Sequence, residues 1–439
     1  MKKYLYLLFV VFLSACSSFG DGGAQDDTQI EGSSADQGSP FSDDTAYNGD
    51  PTLSLGSTDP YAYLNILRGS AGLVDFARNT VLEKAAGNHA TYIQKNGYAV
   101  GHDEAFGTTG FTGETPGDRV VYAGYRSKFI GEGISIGQSS TEAIDNLMSA
   151  IYHRYTLLDT SFDEIGMGYN ALDDGSNVFV HNVGNSEINQ ICQAASDIDE
   201  LNHYAGGCEP DFKVAAAAIN TANDNIHQQN PQLILWPPPG ANDIPPAFFE
   251  EYPDPLPDYS VSGYPVSLQL NRGKVSSASV SKFLLFDIAE NAYVDNARMM
   301  SKETDPNESF SNFDFALFPL QRLGWGRTYR VEVEYTVDGI FKQLQWSFTT
   351  RELDGPVINI TPDTTSVALR NGAKKFFLYI EPLHGKDTIK EYSASYPKNA
   401  QLQVSVKDQN TLEISYTGQA GDVIDLILNS LRTIKVNLL

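Results

Sequence analysis

The sequence predicts a multidomain chain, an α+β layer sandwich followed by all-β sandwich domains. Three observations predict it. Apolar residues recur at helical spacing in two stretches between residues 61 and 184, and paired strand candidates with a turn signal follow them. After Gly263 the pattern switches to a period of two.

The elements follow in order. Leu82, Ala85, Ala86, His89, Ala90 and Ile93 mark one helix, and Gly97 stops it. Thr141-Glu142 opens a second helix, with Ala143, Ile144, Leu147, Met148 and Ile151 on one stripe and His153-Arg154 at its end. Strands at 165–172 and 178–183 are joined by Asp173-Asp174-Gly175-Ser176, a turn signal. Helices covering an antiparallel sheet give a layered α+β domain, placed at 59–185. Residues 186–260 read as a connector with a cysteine pair, an Ala-rich stretch at 214–222 and a Pro-rich run. Trp236-Pro237-Pro238-Pro239-Gly240 and Pro253-Asp254-Pro255-Leu256-Pro257 exclude regular helix, so that run reads as a stiff spacer. Tyr264, Val266, Leu268 and Leu270 then alternate, as do Tyr329, Val331, Val333 and Tyr335, and Leu344, Trp346 and Phe348. These strands, closing on Trp346-Ser347-Phe348-Thr349-Thr350, resemble a bacterial immunoglobulin-like sandwich at 261–352. Strands at 376–380, 402–406, 412–416 and 423–428 predict a smaller sandwich at 353–439.

Lys2 and Lys3, an apolar run at 4–13 and the small residues before Cys16 form a secretory signal over 1–15, too short to span a membrane. Leu13-Ser14-Ala15-Cys16 resembles a bacterial lipobox, which implies cleavage before Cys16, lipidation of Cys16 and a membrane anchor. Ser17 after it favours the outer membrane, so the expected location is the bacterial cell envelope. Residues 16–58 hold eight acids and no Lys or Arg, the composition of a disordered acidic tether. The formal charge is -25; losing Lys2 and Lys3 with the signal, and no acid, makes it -27. A field of that sign repels phosphate backbones, so nucleic acid is not an expected partner. Cys192 and Cys208 enclose fifteen residues, and an even pair in an exported chain predicts a disulfide.

A series of short polar signatures runs through the first domain: Gly101-His102-Asp103-Glu104, Asp118-Arg119 with Ala123-Gly124-Tyr125, Gly131-Glu132-Gly133, Tyr152-His153-Arg154, and 164–169 from Glu164. In order and spacing the series resembles the CAP superfamily of cysteine-rich secretory, antigen and pathogenesis-related proteins, in its bacterial form. The resemblance covers about a quarter of the chain and implies an α-β-α sandwich with a site built on His102, Glu132 and His153. Two departures stand out. Gly133 replaces an Asn and Tyr152 replaces a Gly. The second acid of eukaryotic members is missing, since its places fall on Leu147 and Ala150; Glu104 and Glu164 are the candidates to supply it. Two imidazoles and one carboxylate also suit a divalent metal such as zinc, held by His102, His153 and Glu132. Members of the superfamily are linked with binding sterols, lipids or glycans, and a few with proteolysis.

Nucleophilic catalysis has no support, because Gly-x-Ser-x-Gly is absent and both cysteines beyond Cys16 are assigned to a pair. His89, on the apolar face of its helix, reads as a core histidine. The sequence thus points to an envelope lipoprotein whose domain binds a small ligand, lipid, glycan or protein partner through a His/Glu cleft. The alternatives are a metal-assisted hydrolase of peptide or wall material with Glu132 as base, and an adhesin whose sandwiches carry the binding.

Overall fold

The computed structural model describes residues 59–98, 101–193, 207–208, 214–369, 375–429 and 432–439; the signal, Cys16 and the tether lie outside the described residues. Helix α1 (Pro60–Ser70) starts on Asp59, whose side chain accepts from the Tyr61 amide. After β1 (Ala77–Arg78), Asn79 caps α2 (Thr80–Asn96) through the Val81 and Leu82 amides, and Gly97 ends it at φ +93°. Thr115 and Asp118 form a reciprocal capping box on α3 (Pro116–Ala123). Then come β2 (Ile130–Gly137), α4 (Ser140–Ser149), α5 (Ile151–Leu157), β3 (Glu164–Ala171), β4 (Asn177–Gly184), α6 (Ser186–Gln193) and α7 (Ala216–Gln229).

The first sheet has the order β1-β3-β4-β2, with β1 parallel to β3 and the other pairs antiparallel. Helix α2 lies against β3 at backbone distance. A Cβ on Gly166 would stand 2.1 Å from the Glu83 nitrogen, and one on Gly168 2.2 Å from the Gly87 nitrogen. Only glycine admits that approach. On the other face, Leu147 of α4 packs over Gly133 of β2. The layered α+β domain of the sequence is therefore present. One expectation is corrected: the second helix does not run through His153-Arg154. It breaks at Ala150 (ψ 120°), and these residues open α5 instead. Arg154 folds back so that its Nε donates to Met148 O at 2.7 Å and Nη2 to Ser149 O at 3.4 Å, closing the carbonyl end of α4.

Within the stretch at 186–260 the described residues carry packed elements. Cys192 and Cys208 form a disulfide, and with Ile188, Val214, Ile219 and Ala222 they make a small apolar core. Strand β5 (Leu233–Trp236) then adds to the next domain by pairing with residues 267–270, because extended backbone with apolar side chains on it fits a sheet edge. That domain also holds β6 (Ala247–Phe248), β7 (Ser262–Gly263), β8 (Val266–Leu270), β9 (Ala278–Asp287), β10 (Ala292–Tyr293), β11 (Ala297–Met300), β12 (Asp314–Pro319), β13 (Thr328–Val337) and β14 (Ile340–Thr349). Its two four-stranded sheets have the orders β10-β9-β13-β14 and β11-β12-β8-β5. The second sandwich is built from β15 (Val357–Ile360), β16 (Ser366–Leu369), β17 (Lys375–Ile380), β18 (Tyr392–Ser395), β19 (Gln401–Asp408), β20 (Thr411–Thr417), β21 (Val423–Leu428) and β22 (Arg432–Leu438), in sheets β15-β17-β20-β19 and β16-β22-β21-β18. It has its own core around Phe376, Leu412, Ile424 and Ile434.

The first two domains share a large apolar cluster, beside smaller cores of the first domain alone around Ala86 and Ile134 and around Leu82 and Val120. Leu64 and Leu67 of α1, Leu147 of α4 and Ile151 of α5 join one apolar cluster with Leu268, Phe318, Val331 and Trp346 of the sandwich. A continuous core of this kind makes the two domains one unit, unlike the polar, sliding interfaces of loosely tethered domains.

Candidate functional site

His102 and Glu132 meet as expected. His102 Nδ1 lies 2.8 Å from Glu132 Oε1, and both side chains are buried. A carboxylate only accepts, so Nδ1 carries the proton and Nε2 is the bare nitrogen; that atom is buried and has no hydrogen-bond partner. Burial pushes the His102 pKa down, against the upward pull of Glu132.

Glu132 has a stronger partner that sequence reasoning passed over. Arg119 of α3, 1 % exposed, donates from Nη2 to Oε1 at 2.7 Å and Oε2 at 2.9 Å. Asn182, opposite Glu132 in the β2–β4 register, donates to Oε2 at 3.0 Å once its amide is oriented to satisfy its neighbours. Burial raises the carboxyl, but Arg119 and then His89 outweigh it and hold it far below the usual carboxylate range. Both oxygens are therefore engaged, and the charge is neutralised within the protein.

His89 and Glu104 extend this network. His89 Nδ1 is 2.9 Å from Glu104 Oε1, and His89 Nε2 donates to the Gly101 carbonyl at 3.0 Å, which fixes the approach to His102. His89 Nε2 is also 3.9 Å from Glu132 Oε1. The core-histidine reading was right on burial and incomplete on chemistry, because an imidazole facing a carboxylate is part of the charge cluster. Glu104 also accepts from the Thr112 amide at 2.6 Å and lies 3.8 Å from Arg119 Nε. It belongs to the cluster, but as support for His89 and the 103–115 loop.

The other two expected residues lie elsewhere. Glu164 accepts from Asn79 at 2.6 Å beside the start of α2, and burial raises its carboxyl. It takes no part in the site. His153 approaches from the opposite face of the sheet. Along β2 successive side chains alternate, so Glu132 and Asn182 face α2 whereas Gly133, opposite His181, faces α4 and α5. A Cβ on Gly133 would lie 3.3 Å from Leu147 and 3.8 Å from the His153 ring, so the departure from Asn makes room on that face. The carboxylate beside His153 is Glu251, at 3.1 Å, not Glu132. His181, opposite Gly133, is fully buried, and burial pushes its pKa down to about 4.

A zinc-type site on His102, His153 and Glu132 does not fit. Glu132 has given its oxygens to Arg119, and His153 lies across the strand with another acid. Among the described residues no three His, Cys, Asp or Glu side chains are grouped so that they could hold a metal.

The family model of the cysteine-rich secretory protein family, CAP, matches residues 61–183. Residues 61–183 are a CAP domain. No curated protein matches the chain. Among solved structures, an outer surface protein of Borrelia burgdorferi is 23% identical over 28% of this chain and 87% of its own, with a TM-score of 0.25. An extracellular protein of Bacillus anthracis containing an SCP domain is 22% identical over 28% of this chain and 38% of its own, with a TM-score of 0.24. An endo-fucoidan hydrolase of glycoside hydrolase family 107 is 8% identical over 52% of this chain and 38% of its own, with a TM-score of 0.20. In the CAP domain, Asp118-Arg119 was the visible sign of the missed partner: a lone arginine at the fourth position of a capped helix, ahead of a strand carrying a buried acid. Asn182 and Glu251 left no local sign.

Proposed function

We propose that this is an exported, lipid-anchored envelope protein whose CAP domain binds a ligand rather than hydrolysing one, with His102 as the contact residue. The observation that carries it is the state of Glu132. A carboxylate pinned by a guanidinium, an imidazole and an amide is too weak a base to take a proton from water, and it offers no free oxygen to a metal. This removes the support for Glu132 as the base of a metal-assisted hydrolase. His102 Nε2, by contrast, is a bare acceptor whose other nitrogen is locked; it is closed off from solvent, so a ligand bringing an O–H or N–H group would pair with it by displacing the side chains that cover it. Hydroxyl-rich glycans and peptide amides both have that chemistry. Export and anchoring rest on the signal and on Cys16, and the Cys192–Cys208 disulfide agrees with an oxidising compartment.

The test has two arms. Mature full-length chain is screened on oligosaccharide and peptide panels; binding that His102→Ala abolishes and Glu164→Gln preserves supports the reading. Cleavage of peptide or wall material that is lost in Glu132→Gln would overturn it. For the anchor, Cys16→Ser should stay unprocessed and leave the detergent phase; partitioning like the parent would refute lipidation.

A further inference from the structure

Four consecutive side chains of α5 are held by the first sandwich. The hydroxyl of Tyr152 bonds the Asp305 carboxylate and accepts from Asn307 Nδ2 at 2.9 Å. His153 Nδ1 meets Glu251 Oε2 at 3.1 Å. Arg154 Nη1 donates to Pro265 O at 2.7 Å and Ser267 Oγ at 3.2 Å, and Tyr155 Oη donates to Phe315 O at 2.8 Å. Tyr152, which stands where the family has Gly, is thus a docking residue.

Glu251 does more than dock. Helix α5 has no side-chain cap of its own, since Ala150 occupies the N-cap position. Glu251, from the segment between β6 and β7, fills that role: Oε1 accepts from the Ile151 amide at 2.6 Å and Oε2 from the Tyr152 amide at 3.3 Å. The same Oε2 takes His153 Nδ1, with both side chains fully buried. Because the carboxylate can only accept, it dictates that Nδ1 carries the proton and fixes the plane of the ring. We infer that Glu251 is a positioning residue for His153, so that the second histidine of the CAP domain is set by the neighbouring module. The pair repeats the logic of His102 with Glu132, an imidazole oriented by a buried carboxylate on its Nδ1. It does not rest on the proposed function, because His153 lies across the sheet from His102 and Glu132.

The test uses the mature full-length chain with ¹⁵N-labelled histidine, reading imidazole proton and nitrogen resonances, with His153→Ala to assign the ring. The parent should show a slowly exchanging, downfield Nδ1–H proton for His153. Glu251→Gln keeps an accepting oxygen for the helix but loses the charge, so that proton should move upfield. Glu251→Ala should lose it to exchange. The His102 ring, held by Glu132, should be unchanged in both variants. If the variants melt earlier while the His153 resonances stay at their parental positions, Glu251 is a helix cap alone and the inference is overturned. Absence of a ligand for the CAP domain leaves this readout intact, so the two ideas fail separately.

Discussion

Replacing Arg119 with Met removes the guanidinium that neutralises Glu132 while leaving the volume of the site nearly filled. The parent pair has contacts of 2.7 and 2.9 Å, with the side chains 1 % and 2 % exposed. Breaking such a pair on one side strands a buried charge, at a cost of about 3–5 kcal/mol. His102 and Asn182 remain as donors, so the lower end, about 3 kcal/mol, is expected for Arg119→Met at pH 7. That is a large share of the roughly 5–15 kcal/mol that stabilises an ordinary domain. Urea unfolding of Arg119→Met, Glu132→Gln and the double variant measures it, followed by a probe of the first two domains, which share one core. The double variant should recover at least half of the loss, because no charge is left unpaired. The cost should also shrink on acidification in Arg119→Met, since its carboxyl regains a proton more readily than in the parent. An Arg119→Met loss below about 1 kcal/mol, the range of an exposed pair, would refute the internal-cation account and reopen Glu132 as a base or ligand.

His181 gives a second test. Burial pushes its pKa from 6.5 down to about 4, against the Gly133 backbone bond that raises it. The stability from keeping it neutral is complete above pH 6.5 and is lost as pH falls towards 4. Between pH 7 and pH 5 this amounts to about 2 kcal/mol, and His181→Gln should flatten the pH dependence by that amount; an unchanged slope would be the contrary result. For the disulfide, thiol counting on denatured, unreduced protein should find neither Cys192 nor Cys208 free. Replacing both by Ala should lower stability by about 2–4 kcal/mol in urea unfolding, and two titratable thiols in the parent would contradict it.

Much of the molecule was legible in the chain before folding because its causes are local. Asn79 and Gly97 bracket α2 through hydrogen bonds and a positive φ that adjacent residues decide. Period-two runs such as Tyr329, Val331, Val333 and Tyr335 fix which face of β13 enters the core, because pleating alternates side chains whatever the partner strand. The His102–Glu132 contact was legible through family spacing. Tertiary structure decided the rest. Arg119, not a metal, answers the charge of Glu132, since only packing of α3 over β2 brings them together. The break at Ala150 is stabilised by Glu251, a hundred residues away from Ile151, and no periodicity reports a cap delivered across that span. His153 was expected beside Glu132, but alternation along β2 puts Gly133 and Glu132 on opposite faces, and His153 meets Glu251 instead. Sequence sets what each segment does to itself; the electrostatics of a buried acid depend on which distant cation reaches it first, and only the assembled fold decides that.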